Sequence, residues 1–66
     1  MNVSVFIQIK GRIDSKELYA AVEKYGINVT DMGDSCVVYG DCTLEEASRV
    51  VYVCGLYGDV TVEIKH

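Results

Sequence analysis

The 66-residue sequence contains no proline and no tryptophan, and its one histidine, His66, is the last residue. Without proline or a low-complexity tract, no part of the chain has the composition of a linker or a disordered tail. The three cysteines, Cys36, Cys42 and Cys54, are an odd number and form no Cys-x-x-Cys pair. These absences argue against a structural zinc site and a complete disulfide framework, so we expect neither a metal nor a cofactor.

Positive charge is also scarce. Ten acidic side chains against six basic ones give a formal net charge of -4, which opposes non-specific binding to nucleic acids and to anionic membranes. The sequence starts directly with a strand pattern, without a signal-peptide-like segment or an apolar run of membrane-spanning length. We therefore expect a cytoplasmic protein with reduced thiols and no membrane contact, for which nucleic acid is a disfavoured partner.

The length predicts a single domain over residues 1–66. A chain of this size buries only about 60% of the surface that its unfolded form exposes. Its core contributes about 3 to 5 kcal/mol, which favours extra support from a disulfide, a metal or self-association.

The clearest periodic pattern lies at residues 3–10, where every second side chain is apolar, as in a strand with one buried face. The same alternation at residues 60–65 predicts the last strand. Between them, 27–32 and 35–40 are predicted strands, and Met32-Gly33-Asp34 is a turn that joins them as a hairpin.

Two capping patterns predict helices. Asp14 is an N-cap candidate followed three residues later by Glu17, and Gly26 suits the left-handed residue that ends this helix. Thr43 and Glu46 have the spacing of a capping box. The β-branched and aromatic run 50–53 would indicate a strand if read alone, but the preceding cap favours a helix that starts near Leu44, with its inner side formed by Leu44, Ala47, Val50, Val51 and Cys54.

The resulting order, strand-helix-strand-strand-helix-strand, predicts an α+β, ferredoxin-like βαββαβ two-layer sandwich. In this arrangement an antiparallel four-stranded sheet of order 4-1-3-2 carries both helices on one face. We further expect the first and third strands to lie parallel in the middle of the sheet. The opposite face is then uncovered.

The first candidate site is this uncovered face. If Val5 and Ile7 point toward the helices, Phe6 points away from them; if Cys36 and Val38 point inward, Tyr39 also points away. Burying an aromatic side chain removes about 150 to 250 Å² from water, so an exposed pair favours a partner on this face. The protein-interface candidates are Phe6, Gln8, Val37, Tyr39 and Thr61. The alternatives are scattered apolar residues of an ordinary sheet surface, or a third strand in the other register with Tyr39 in the core.

Two families share this topology. Val5-Phe6-Ile7 resembles the start of the first strand motif of RNA-recognition motifs, which stack bases on aromatic rings, but residues 35–40 carry one ring and no positive charge where that family has a basic and aromatic run. Residues 23–29 resemble small-molecule regulatory domains of the ACT type, whose proline-glycine ligand loop is absent at 10–14. Both are likenesses of topology from which no residue role is transferred.

The second candidate site is the end of the sheet where the helices begin. The predicted fold brings residues 10–13 beside residues 40–43, so that two helix N-termini meet near basic side chains, an arrangement that suits a small anion. The ligand-binding or anion-binding candidates are Lys10, Gly11, Arg12, Gly40 and Cys42. Cys42 precedes a helix N-terminus, where a thiol pKa is lowered, although no histidine is near enough to act as a base.

No pair of carboxylates has the setting of a general acid and base, and a chain of this size has little room for a catalytic pocket. We therefore predict a binding module rather than an enzyme. The function that we favour is that of a homodimer, or of a protein docked to another protein, with the uncovered sheet face as the contact surface. The alternatives, in order, are a domain that binds a small anionic ligand at the helix N-termini and an RNA-binding domain.

Overall fold

The pattern at the start of the chain forms the strand β1, Asn2–Lys10, whose odd-numbered side chains from 3 to 9 are buried and whose even-numbered ones are exposed. The structure, a computed structural model, describes residues 1–66. In chain order the elements are β1 Asn2–Lys10, α1 Ser15–Val22, a 3-10 turn Glu23–Tyr25, β2 Asn28–Asp31, β3 Ser35–Thr43, α2 Leu44–Gly55 and β4 Val60–Lys65.

Both helices begin at the predicted caps. The Asp14 carboxylate accepts hydrogen bonds from the backbone N–H groups of Lys16 and Glu17, at 3.0 and 3.3 Å. At the start of α2 the Glu46 N–H donates to Thr43 Oγ1 at 3.1 Å, and the Thr43 N–H donates to Glu46 Oε1 at 3.0 Å. This reciprocal capping box outweighs the strand propensity of residues 50–53, which are helical as predicted.

The four strands form one antiparallel sheet of order β2-β3-β1-β4, which is the predicted order 4-1-3-2 counted from the other edge. With the two helices, the sheet makes the ferredoxin-like α+β fold that the sequence predicts. One detail of the prediction is wrong: β1 and β3 are antiparallel, not parallel. Because β2 and β3 form a hairpin, β3 reverses the direction that β2 shares with β1.

The hairpin strands also differ from their predicted bounds. Gly40 does not end β3, which continues to Thr43 and pairs Gly40 with Val5 of β1. Gly40 has a positive φ of 151°, which a residue without a Cβ adopts readily. The strand pairing can therefore continue through this position. The strand β2 is shorter than predicted, with Ile27 buried just outside it.

The core is aliphatic and small. Its 13 buried residues are branched aliphatic side chains, one alanine and the three cysteines: Val3, Val5, Ile7, Ile9, Leu18, Val22, Ile27, Cys36, Val38, Cys42, Ala47, Val50 and Cys54. None of the six aromatic residues is among them. Leu44, predicted to face inward, is 53% exposed because it is the first residue of α2 and its side chain lies outside the core. Neither helix combines the length and apolar character needed to cross a lipid bilayer.

Candidate protein-interaction surface

The sheet has one face against the helices and one that no other element covers. We call the second the open face. Residues alternate between the two faces along each strand, and the burial of Cys36 and Val38 fixes β3 so that Tyr39 belongs to the open face. Phe6 of β1 lies directly opposite Tyr39 of β3 in the strand pairing, and the two side chains are 51% and 40% exposed. We refer to them as the ring pair.

The pairing of strands arranges the open face in rows that run across the sheet. The ring pair is the middle of one row, which contains Asn28, Tyr39, Phe6 and Glu63. The adjacent row contains Thr30, Val37, Gln8 and Thr61. All five residues proposed from the sequence as interface candidates therefore lie side by side on this face.

Polar contacts hold parts of the open face in place. Ser4 Oγ donates to Asp41 Oδ1 at 2.7 Å across β1 and β3, and Thr30 Oγ1 donates to the Tyr39 hydroxyl oxygen at 3.4 Å. Beside the ring pair lies an open depression of about 560 Å³, lined on this face by Ser4, Phe6, Tyr39, Asp41, Glu63 and Lys65. The rings thus project next to a recess that can accept side chains from another chain.

The open face is electrically neutral although the chain is not. Its charged side chains are Lys10 and Lys65 against Asp41 and Glu63, which sum to zero. Subtracting these from the totals leaves four basic and eight acidic side chains, so the helices, the loops and the remaining positions carry all of the net charge of -4. Only the strand pairing reveals this neutrality, because the four residues are spread over three strands far apart in the sequence.

The residues predicted to form an anion site do not meet. Lys10 pairs with Ser35 at one end of β1, whereas Gly40 pairs with Val5 near the other end. Five residues of strand separate the two positions, which is roughly 17 Å. Since β1 and β3 are antiparallel, α1 and α2 also begin at opposite ends of the sheet. The prediction that Lys10, Gly11 and Arg12 lie beside Gly40 and Cys42 is therefore wrong.

The three cysteines are free thiols enclosed by the core. Burial raises the pKa of Cys54 to about 11. Burial also raises the pKa of Cys42, with further contributions from the carboxylates of Glu46 and Asp41, so the helix N-terminus next to it does not produce a reactive thiolate. The pKa of Cys36 is raised by burial and then by Asp31.

We expect native thiols to resist alkylation. Their raised pKa values reduce the thiolate fraction at pH 8, and their side chains are at most 3% exposed. The chain unfolded in guanidinium is treated with iodoacetamide until all three cysteines are labelled, as counted by mass spectrometry. In the same time, iodoacetamide should label none of the three cysteines of the native protein. Rapid single labelling of native Cys42 would contradict this expectation.

No group of three or more His, Cys, Asp and Glu side chains is placed to hold a metal ion. Comparisons of the chain with protein-family models, with curated proteins and with solved structures found no significant match.

Proposed function

We propose that this protein is a self-associating interaction module, which forms a homodimer by packing the open faces of two copies against each other. The observation that carries the proposal is the ring pair, which lies at the middle of the sheet with both rings about half exposed.

Dimerisation of this kind supplies burial that the monomer lacks. The core of one chain contains only 13 buried residues, none of them aromatic, and Tyr25 and Tyr57 pack against it only partly buried. Covering the exposed half of one ring removes roughly 100 Å² from water, which corresponds to about 2.5 kcal/mol before the cost of association. Two rings in each of two chains are covered together, which supports a dimer as the added stabilisation that a domain of this size needs.

Charge and area favour a second copy as the occupant. Two chains of charge -4 repel each other, and contact through the neutral open face adds no further repulsion from the contacting surfaces themselves. The nine residues of β1 span roughly 30 Å and four strands span roughly 19 Å; because β2 and β4 have only four and six residues, two faces enclose at most on the order of 1,000 Å². This is the lower bound for a specific interface, at the small end of the range in which weak and transient associations lie.

The other predicted functions gain no support from this geometry. An anion site at the helix starts would need residues that lie at opposite ends of the sheet. An RNA-binding sheet would need a net positive face, and Lys10 and Lys65 are balanced here by two carboxylates.

Sedimentation equilibrium of the unaltered chain tests the proposal. We expect a reversible monomer-dimer equilibrium whose dissociation constant stays unchanged or becomes slightly smaller between about 0.05 and about 0.5 M salt, because salt screens the repulsion between the acidic bodies. A chain that remains monomeric at millimolar concentration would overturn the proposal. A dimer that dissociates as salt is added would also contradict it, because the association would then depend on charge attraction rather than on apolar contact.

A further inference from the structure

The strand order of the open face limits how two copies can be superposed, and this inference rests on the proposed homodimer. We propose that the two-fold axis of the dimer runs along the strand direction between β1 and β3, so that β1 of each subunit lies over β3 of its partner. The order β2-β3-β1-β4 then lies over the partner's β4-β1-β3-β2, and all four strands are covered.

This axis stacks rings on rings. Phe6 and Tyr39 are directly opposite each other on the two central strands, so the rotation places Phe6 against Tyr39 of the partner subunit and Tyr39 against Phe6 of the partner subunit. The result is a cluster of four rings at the middle of the interface, where offset and edge-to-face contacts between aromatic groups are favourable. Packed sheets cross at about 30°, which displaces the rows at the ends of the strands more than the central row that contains the ring pair.

The same axis avoids contacts between like charges. In the row that contains the ring pair, Glu63 faces Asn28 of the partner subunit. In rows on either side of it, Lys10 faces Ser35 of the partner subunit and Asp41 faces Ser4 of the partner subunit. Each of these pairs joins a charged group to a polar neutral one. The fourth charged residue, Lys65, lies in the row of Ser4, which β2 does not reach, so no charge is opposed by its own sign.

Other two-fold axes that bring rings together do oppose like charges. An axis along β1 places the two Lys10 side chains together, and an axis along β3 places the two Asp41 side chains together; each also leaves one edge strand uncovered. An axis that crosses the strands at the ring row puts Glu63 against its own copy. Two-fold axes that cross the strands at other rows place the rings against polar residues such as Ser4 or Gln8. The axis between β1 and β3 is therefore favoured.

Disulfide trapping tests this arrangement at the row next to the rings, where the axis places Gln8 over Val37 of the partner subunit. The variants Gln8→Cys and Val37→Cys are prepared separately and mixed, because both changes in one chain would set two thiols opposite each other within the same sheet. Both side chains belong to the open face, so the core is unchanged, and the native cysteines are buried. Oxidation of the mixture should give at least about fivefold more cross-linked dimer than either variant alone.

Peptide mass spectrometry identifies which two cysteines form the disulfide. The matched control is Ser48→Cys on the exposed side of α2, which should not cross-link. If Gln8→Cys alone cross-links at least as well as the mixture, β1 lies over β1 and the proposed axis is overturned while the open-face dimer stands. If the chain sediments as a dimer and no open-face cysteine cross-links, the proposed axis and the open-face interface both fail. If the unaltered chain is a monomer at the concentration used, the homodimer itself fails.

Discussion

Replacing Phe6 with lysine is expected to raise the dissociation constant of the dimer by at least about 100-fold, because each dimer loses two central rings and gains two charges that the interface must desolvate. The monomer should keep its fold. Position 6 belongs to the open face, outside the buried cluster, and it lies opposite Glu63 of β4, so the new ammonium group has a carboxylate beside it.

The matched control for this substitution is Tyr52→Lys. Tyr52 is an aromatic residue of α2 that is 70% exposed and lies on the helical side of the molecule. Both substitutions change the net charge from -4 to -3, which lowers the overall repulsion between chains. Sedimentation equilibrium should therefore show a weakened dimer for Phe6→Lys alone. Equal effects of the two substitutions, or none from Phe6→Lys, would place the interface elsewhere.

Replacing Gly40 with alanine is expected to destabilise the monomer by about 2 to 4 kcal/mol, which is most of the stability of a domain of this size. Gly40 has a positive φ of 151° and lies beneath the turn that leads into β2. A Cβ there would be 3.0 Å from Ile27 Cδ1 and 3.1 Å from the carbonyl oxygen of Gly26. A backbone carbonyl that belongs to a helix cap cannot move aside as a flexible side chain can. Urea unfolding followed by circular dichroism measures the loss.

Two other glycines separate the contribution of backbone strain from that of the close contact. Gly33→Ala introduces a residue at φ 95° with no atom within 4 Å, so its expected cost, about 1 kcal/mol, is that of the backbone conformation alone. Gly55→Ala, at the end of α2, has neither a positive φ nor a close neighbour and should be neutral or slightly stabilising. A loss at Gly40 no larger than that at Gly33 would show that the contact with residues 26 and 27 is unimportant.

The predictions of which segments form strands and which form helices depended on local pattern and were confirmed. The alternation along β1 and the capping box of Thr43 and Glu46 each identify an element, because hydrogen bonding and backbone conformation within a few residues determine them. Gly26 is left-handed, as predicted, but it ends the 3-10 turn Glu23–Tyr25, and α1 itself ends at Val22. The run 50–53 shows which local signal is stronger: the cap and the helical periodicity prevail over the β-branched residues.

The inward position of Leu44 and the length of β2 were local errors. The errors that misplaced the anion site concerned residues that are distant in the sequence. The relative direction of β1 and β3 depends on the whole path through α1 and the hairpin, and this direction separates Lys10 from Gly40 by the length of a strand. The place of Gly40 within β3 depends on its contact with residues 26 and 27, which no pattern around position 40 reveals.

By itself the sequence determined which segments are strands and helices, the order of the strands and the exposure of Phe6. These features depend on alternation and capping among neighbouring residues and on the order in which the chain connects the elements. Only the tertiary structure decided that Phe6 and Tyr39 lie opposite each other and that the charges around them cancel. The physical reason is that register and strand direction arise when the helices and strands bury their apolar sides together, and a shift of one residue would turn every side chain of a strand to the other face.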